Sequence, residues 1–362
     1  MTSEHAVPFH RMAVDHVEFY VADVESTVEW LTDHYGLTVH ADNAHEVERA
    51  GARSVALHRA NIRVVLTRGL ADDHPSAVYV ARHGDGVGNI ALRVPDAVAA
   101  FEEAVRRGAQ PCEQPVTRDG MVTASVIGFA DVTHRFVERS ADVADNSLPG
   151  LRPVTGRAPA LDTGLAAVDH FAVCLEAGML EATVDYYERT LGFDTVFEEL
   201  IVVGAQSMIS KVVQSTSGAV TLTLIEPGRS KEPGQIDEFI KRHDGSGVQH
   251  IAFNSVDIVR SVSTMKAAGV SFLRTPGAYY ELLGERLTVR RHPVGDLSAN
   301  GILVDEDHDG QLFQVFTKSV HPRGTLFMEV IERAGARTFG SGNIKALYET
   351  VELQRQHDGP AT

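Results

Sequence analysis

AVDHVEFYVADVESTVEWLTDHYGLTV, residues 13–39, returns at residues 167–196 as AVDHFAVCLEAGMLEATVDYYERTLGFDTV, and this repeat decides the architecture. Alternation around Val14, His16 and Glu18 predicts a strand, and the apolar spacing of Val28, Leu31 and Tyr35 predicts a helix, with a second strand after it. Gly36 and Gly192 stand where each helix should stop. A second pair follows: GVGNIALRVPDAVAAFEEAVRRGA from Gly86 and GVQHIAFNSVDIVRSVSTMKAAGV from Gly247, each again strand, turn and helix. Each half then holds two βα-type modules with further strands between them. The expectation is an α+β fold in which paired βαβββ-type modules form a curved mixed sheet around a pocket, twice.

The chain length of 362 residues suits two domains. The expected division is an arm over 1–11, an N-terminal domain over 12–141, a linker over 142–165, a C-terminal domain over 166–335, and a closing helix with its tail over 336–362. The linker DVADNSLPGLRPVTGRAPALDTGL is rich in Pro, Gly and small polar residues and lacks apolar periodicity. The last segment carries Gly340 and Gly342 ahead of a helical pattern through Ile344, Leu347 and Val351.

The formal net charge of −16 would repel a nucleic-acid backbone or an anionic membrane surface, so neither is expected as a partner. An anionic substrate needs a local positive centre in that field, and a metal ion is one way to supply it. Cys112 and Cys174 are the only cysteines and form no CxxC pair, which fits a cytoplasmic protein without a disulfide framework. The N-terminal residues MTSEHAVPFHRMAVDH have no signal-peptide apolar run, and no long uncharged apolar stretch occurs elsewhere. The sequence leaves the oligomeric state open, a homodimer being one option.

A histidine on an apolar strand is more often a core residue than a ligand, so His170 alone carries little. Comparing the halves carries more. His16 and His170 hold the same place in the first module, whereas Asn89 stands where His250 stands in the second. Aligning VER, Val137 to Arg139, with IER, Ile331 to Arg333, sets Arg135 opposite Glu329. One half offers His, Asn and Arg; the other offers His170, His250 and Glu329. Two imidazoles and one carboxylate on three strands make a facial triad with open coordination positions, the arrangement of Fe(II) sites that use O2. Arg135 would repel a cation, which makes the N-terminal half a scaffold. Zinc is the rival metal for such ligands, but no HExxH is present. DEDHDG, Asp305 to Gly310, imitates the start of a calcium loop whose twelfth position would be Phe316 instead of Glu, so it is read as a solvated turn. The glycine-rich GDGVGN has no preceding strand of the dinucleotide-binding kind.

The doubled module resembles the vicinal-oxygen-chelate superfamily, and the C-terminal half resembles the 4-hydroxyphenylpyruvate dioxygenase family. VDHF, SKVV, GQIDEF, GVQHIAFN, RTPGAYY, ILVDEDHDGQLFQVFTK, LFMEVIER and FGSGNIKALYE follow in that family's order over most of residues 165–355. The resemblance implies that His170, His250 and Glu329 hold Fe(II), and that Ser210, Gln235, Gln314 and Phe339 line or support the pocket. It implies an aromatic 2-oxo acid, 4-hydroxyphenylpyruvate, as substrate and O2 as co-substrate. Where the dioxygenases have Pro and Asn before a Glu-Pro pair, this chain has TLTLIEP with Thr223 and Ile225, and where they have a second Phe in the C-terminal helix it has Ile344. These departures resemble the branch of the family that forms 4-hydroxymandelate and CO2 by benzylic hydroxylation. Ile344, Thr223 and Ile225 are then the product-determining positions. Such a product would feed hydroxyphenylglycine supply in antibiotic biosynthesis. The competing expectations are homogentisate formation in tyrosine breakdown, a metal-free binding protein and an extradiol ring-cleaving enzyme.

Overall fold

The structure is a computed structural model that describes residues 8–144, 146–155, 161–203, 206–228, 233–340, 342–343 and 345. Strands β1 (Ala13–Tyr20), β2 (Thr38–Asp42), β3 (Ala52–Arg59), β4 (Ile62–Gly69), β5 (Gly86–Arg93), β6 (Pro111–Arg118), β7 (Met121–Phe129), β8 (Val132–Arg139) and the short β9 (Arg152–Pro153) form one mixed sheet. Its order is β6-β7-β8-β5-β1-β4-β3-β2-β9. The second sheet contains β10 (Leu165–Cys174), β11 (Phe193–Val203), β12 (Gln206–Ser215), β13 (Thr221–Pro227), β14 (Gly247–Ser255), β15 (Leu303–Glu306), β16 (Gln311–Phe316) and β17 (Phe327–Ala334), in the order β11-β12-β13-β10-β14-β17-β16-β15. Both sheets curl into half-barrels, so the fold is α+β of the expected kind.

The helices among the described residues are α1 (Val24–Tyr35), α2 (Val47–Ala50), α3 (Pro75–His83), α4 (Ala97–Arg106), α5 (Leu180–Leu191), α6 (Gln235–His243), α7 (Ile258–Ala267), α8 (Gly277–Arg286) and α9 (Val294–Asn300). None is long and apolar enough to cross a membrane. The repeat sets their ends. Gly36 and Gly192 close α1 and α5 at φ 68° and 67°, the left-handed region that glycine enters without a Cβ penalty. Asp96 and Asp257 cap α4 and α7 by accepting from Ala99 N and Arg260 N. The glutamates of the VER and IER phrases reach the same two helices: Glu138 accepts from Ala97 N and Glu332 from Ile258 N.

The main core lies between sheets and helices and is continuous across both halves, with Tyr35, Leu57, Leu66, Ile90 and Phe136 joined to Phe171, Tyr187, Phe253, Phe313 and Val330. Helix α5 bridges to the first sheet, where its Tyr187 hydroxyl meets His134 Nε2 at 2.7 Å and its Tyr186 hydroxyl donates to Ile127 O. A smaller apolar cluster of Ala172, Cys174, Ile201, Met208, Ile225, Ile236 and Phe239 stands apart from that core. Ala172 and Cys174 alternate with the core residues Phe171 and Val173, so this cluster occupies the other face of the second sheet. The segment expected as a linker is more structured than its composition suggests. Arg152 and Pro153 pair with β2 at the sheet edge, where a proline costs no ladder bond, and Leu148 is buried against Ala41, Ala56 and Val65. Cys112 is exposed and Cys174 buried, and both are free.

Candidate metal centre

Strand pairing brings the three candidate ligands together rung by rung. His170 of β10 lies opposite Ala252 of β14, Ala252 lies opposite Glu329 of β17, and His250 of β14 lies opposite Ala172 of β10. Partners across a sheet share a face, so all three side chains project on the side away from the main core. One ligand atom from each of the three lies within 4.8 Å of the others, and all three residues are buried. Glu329 Oε2 is 3.4 Å from His170 Nε2 and 3.3 Å from His250 Nε2.

The surroundings orient each group. Asp169 Oδ1 accepts from His170 Nδ1 at 2.8 Å, which leaves Nε2 directed at Glu329. Asp169 is in turn held by Arg333, whose Nε and Nη2 each donate at 2.9 Å. Arg333 also donates to Thr338 O and lies 5.0 Å over the Phe339 ring, and that ring stands edge-on to His170 at 5.2 Å. His250 is stacked on Phe327 at 4.9 Å and meets Phe316 edge-on at 5.7 Å. Glu329 Oε1 accepts from Gln314 Nε2 at 2.8 Å.

The electrostatics suit a cation. Burial pushes the His170 imidazole down, but the Glu329 and Asp169 carboxylates outweigh it and raise it to about 9. Burial pushes the Glu329 carboxyl up, and the two imidazoles overturn that, holding it at about 2. Burial lowers His250. Asp169 lies well below the ordinary carboxylate range: burial raises it, and His170 and Arg333 more than reverse that. Glu329 is 1% exposed, and a carboxylate so buried needs a compensating charge. A divalent cation between two Nε2 atoms and one carboxylate oxygen would supply it, so the residues present fit such an ion.

Of the other pocket residues named from sequence, Thr223, Ile225 and Ser210 share this face of the sheet, and Gln314 and Phe339 touch the ligands themselves. Thr223 and Ile225 are on β13, buried, with Thr223 opposite Ala172 and Ser210 of β12 opposite Ile225. Among the described residues, the Thr223 hydroxyl and His250 Nδ1 are buried without a hydrogen-bond partner. Phe339 lines a cavity of about 570 Å³ together with Asp169, Phe197, Gln214, Thr221 and Arg333. Gln235, the first residue of α6, instead faces a separate cavity of about 220 Å³ with Phe239, Gln249 and Phe327. Gln314 is engaged at both ends of its amide, by Glu329 and by Asn343. Ile344 and the helix expected beyond it lie outside the described residues.

The first sheet repeats the frame without the ligands. His16 lies opposite Ala91, Asn89 opposite Glu18, and Arg135 opposite Ala91, the same rungs that hold His170, His250 and Glu329. His16 Nδ1 is 2.7 Å from Asp15 Oδ1, and Asp15 is held by Arg139, as Asp169 is by Arg333. Arg135 stands there as a tethered cation, 3.4 Å from Glu18 and 3.3 Å from Glu113. Sequence reading missed the Asp-Arg pair, although Asp15 with Arg139 and Asp169 with Arg333 recur in both halves, each beside the histidine that it supports. It also missed Phe316, Phe327 and Asn343, which carry no signal beyond apolar or turn character.

Residues 15–124 and 167–315 each match a model of the Glyoxalase/Bleomycin resistance protein/Dioxygenase superfamily. A 4-hydroxyphenylpyruvate dioxygenase of Tetrahymena thermophila is 31% identical over 97% of this chain and 92% of its own length. Its counterpart in Dictyostelium discoideum is 32% identical over 95% of this chain and 98% of its own. Among solved structures, a triple mutant of 4-hydroxymandelate synthase from Streptomyces coelicolor superposes with a TM-score of 0.85 at 39% identity, covering 96% of this chain and 99% of the other. With both halves matched by the superfamily model and full-length relatives at this identity, the chain belongs to the 4-hydroxyphenylpyruvate dioxygenase family.

Proposed function

We propose that this chain is an Fe(II)-dependent dioxygenase that converts 4-hydroxyphenylpyruvate and O2 to 4-hydroxymandelate and CO2. His170, His250 and Glu329 would hold the metal. The observation that carries the reading is the convergence of these three buried side chains in a family whose relatives are named for that 2-oxo acid. When bound, Fe(II) at such a triad supplies open coordination positions for the 2-oxo acid and O2, and the redox chemistry that couples decarboxylation to hydroxylation. The reaction balances: the substrate loses its carboxylate as CO2, and both atoms of O2 enter the product.

The chain's own residues decide where that oxygen goes. Phe339 and Phe327 flank the two histidines and keep water from the centre. Asp169 and Gln314 fix the orientation of His170 and Glu329. Thr223 offers a buried hydroxyl on the pocket face that has no partner among the described residues, where a substrate oxygen can satisfy it. Ile225 is apolar where a ring-hydroxylating pocket would carry Asn, so it gives the phenol ring no polar hold over the metal. The benzylic carbon then becomes the nearer target, and displacements of about 1 Å suffice to change rates roughly a hundredfold. Ile344 contributes to the same reading by its residue type. The 39% identity to a 4-hydroxymandelate synthase, against 31% and 32% for two dioxygenases, favours this product.

The test is oxygen uptake by metal-free protein reconstituted with Fe(II) or with Zn(II), given 4-hydroxyphenylpyruvate or a catechol, with the products separated. Uptake with Fe(II) and the 2-oxo acid alone, yielding 4-hydroxymandelate, is expected. Homogentisate as the main product would refute the product assignment, and uptake with the catechol alone would refute the substrate class.

A further inference from the structure

Glu329 ends a buried chain of side-chain amides whose polarity is set from one end. An ionised carboxylate only accepts hydrogen bonds, so Gln314 must turn its Nε2 toward Glu329 Oε1, at 2.8 Å. Gln314 Oε1 then faces the other way and accepts from Asn343 Nδ2 at 2.9 Å. Asn343 is left presenting Oδ1 to the Tyr279 hydroxyl at 3.3 Å, which shares its one proton with the nearer Val304 O at 2.9 Å and accepts from Val304 N at 2.8 Å. Glu329, Gln314 and Asn343 are 1%, 2% and 0% exposed, so water cannot replace any link. Gly340 makes room for the chain: a Cβ there would come within 2.6 Å of Gln314 Oε1, and its φ is +69°.

We propose that Asn343 is a positioning residue for the metal carboxylate, acting through Gln314. By satisfying Gln314 Oε1, Asn343 holds the amide in the place where its Nε2 reaches Glu329 Oε1, which leaves Oε2 as the one oxygen offered between His170 and His250. Without that donor the buried Gln314 oxygen is unsatisfied, and a Gln314 side chain that swings away from Glu329 leaves Oε1 without its bond and the carboxylate free to rotate. The inference rests on the metal reading above, and it makes Asn343, beyond the end of β17, part of the support of the centre.

Asn343→Asp tests it, because the change keeps the shape and exchanges the donor for an acceptor. The Gln314 nitrogen is then contested by two acceptors, Glu329 and residue 343, and its oxygen loses the Asn343 donor. Co(II) binding to the full chain is the probe, followed by equilibrium titration. Asn343→Asp should weaken Co(II) roughly ten- to a hundredfold, the scale of lost metal support beyond the ligands. Gln314→Leu should weaken it comparably, and adding Asn343→Asp to Gln314→Leu should change it by less than about twofold, since no amide remains to be turned. If Asn343→Asp does not fold, Asn343→Ser is used with the same expectation of non-additivity. Wild-type protein that binds no Co(II) would overturn the metal reading and this inference with it. Wild-type binding with an Asn343→Asp affinity within twofold of it, or with additive single and double variants, would overturn the inference and leave the metal reading standing.

Discussion

Asp169→Asn and Asp15→Asn form a matched pair of perturbations, because the two halves carry the same Asp-His-Arg arrangement and only one is argued to serve a metal. Asp15 and Arg139 have side chains 0% and 2% exposed, and Asp169 and Arg333 have 11% and 19%. Removing one charge of a buried pair strands the other, at about 3–5 kcal/mol. The more open Asp169–Arg333 pair should sit near the lower end, because Arg333 keeps its bond to Thr338 O and its contact with Phe339. The fully buried Asp15–Arg139 pair should sit near the upper end. Metal affinity separates them. Asp169→Asn weakens the hold on the His170 ring, so Co(II) affinity should fall roughly ten- to a hundredfold. Asp15→Asn, which supports His16 in the half that carries Arg135, should leave it within about twofold. Urea denaturation of the metal-free proteins and Co(II) titration of the folded ones measure both quantities. Equal losses of affinity in the two variants, or none in Asp169→Asn, would refute the division of labour between the halves.

Ile225→Asn should place a polar amide at a position 7% exposed, cost about 1–3 kcal/mol where it finds no partner, and lower the mandelate share of the product, as read by chromatography. Arg135→Glu should remove the cation between Glu18 and Glu113 and cost roughly 3 kcal/mol, yet Co(II) stoichiometry should stay at one per chain because Asn89 supplies no imidazole. His134 gives a pH dependence far from the metal centre. Burial lowers its pKa from 6.5 to about 4, so its neutral form stabilises the fold fully above pH 6.5. Between pH 6.5 and 4 the unfolded chain takes up the proton first, and stability should fall by up to about 3 kcal/mol. His134→Gln should flatten that part of the stability profile measured by urea titration at several pH values; an unchanged slope would contradict it.

The repeat made the fold legible because each half had to spend the same residues on the same turns. Gly36 and Gly192 close equivalent helices, and Asp96 and Asp257 open equivalent ones, so two copies of each signal were available in one chain. The His170, His250 and Glu329 set was legible for the complementary reason: beside the shared histidine, the halves differ at the other two rungs, Asn89 against His250 and Arg135 against Glu329. What stayed hidden was contact at a distance. Arg333 meets Asp169 across 164 residues, and Asn343 reaches Glu329 only through Gln314, a pairing that no periodicity announces. Phe327 and Phe316 have the pattern of ordinary strand residues, and only the register places their rings against His250. Arg152 and Pro153 read as linker because a two-residue edge strand is too short to alternate and contains a proline.

If an Fe(II) centre held by His170, His250 and Glu329 directs oxygen to the benzylic carbon, one turnover under isotopically labelled O2 shows it in the fate of the label. Fe(II)-loaded protein with 4-hydroxyphenylpyruvate should give 4-hydroxymandelate bearing one labelled atom in its hydroxyl and one in its carboxylate, with unlabelled CO2. Labelled homogentisate as the main product, or mandelate whose hydroxyl carries no label, would contradict it.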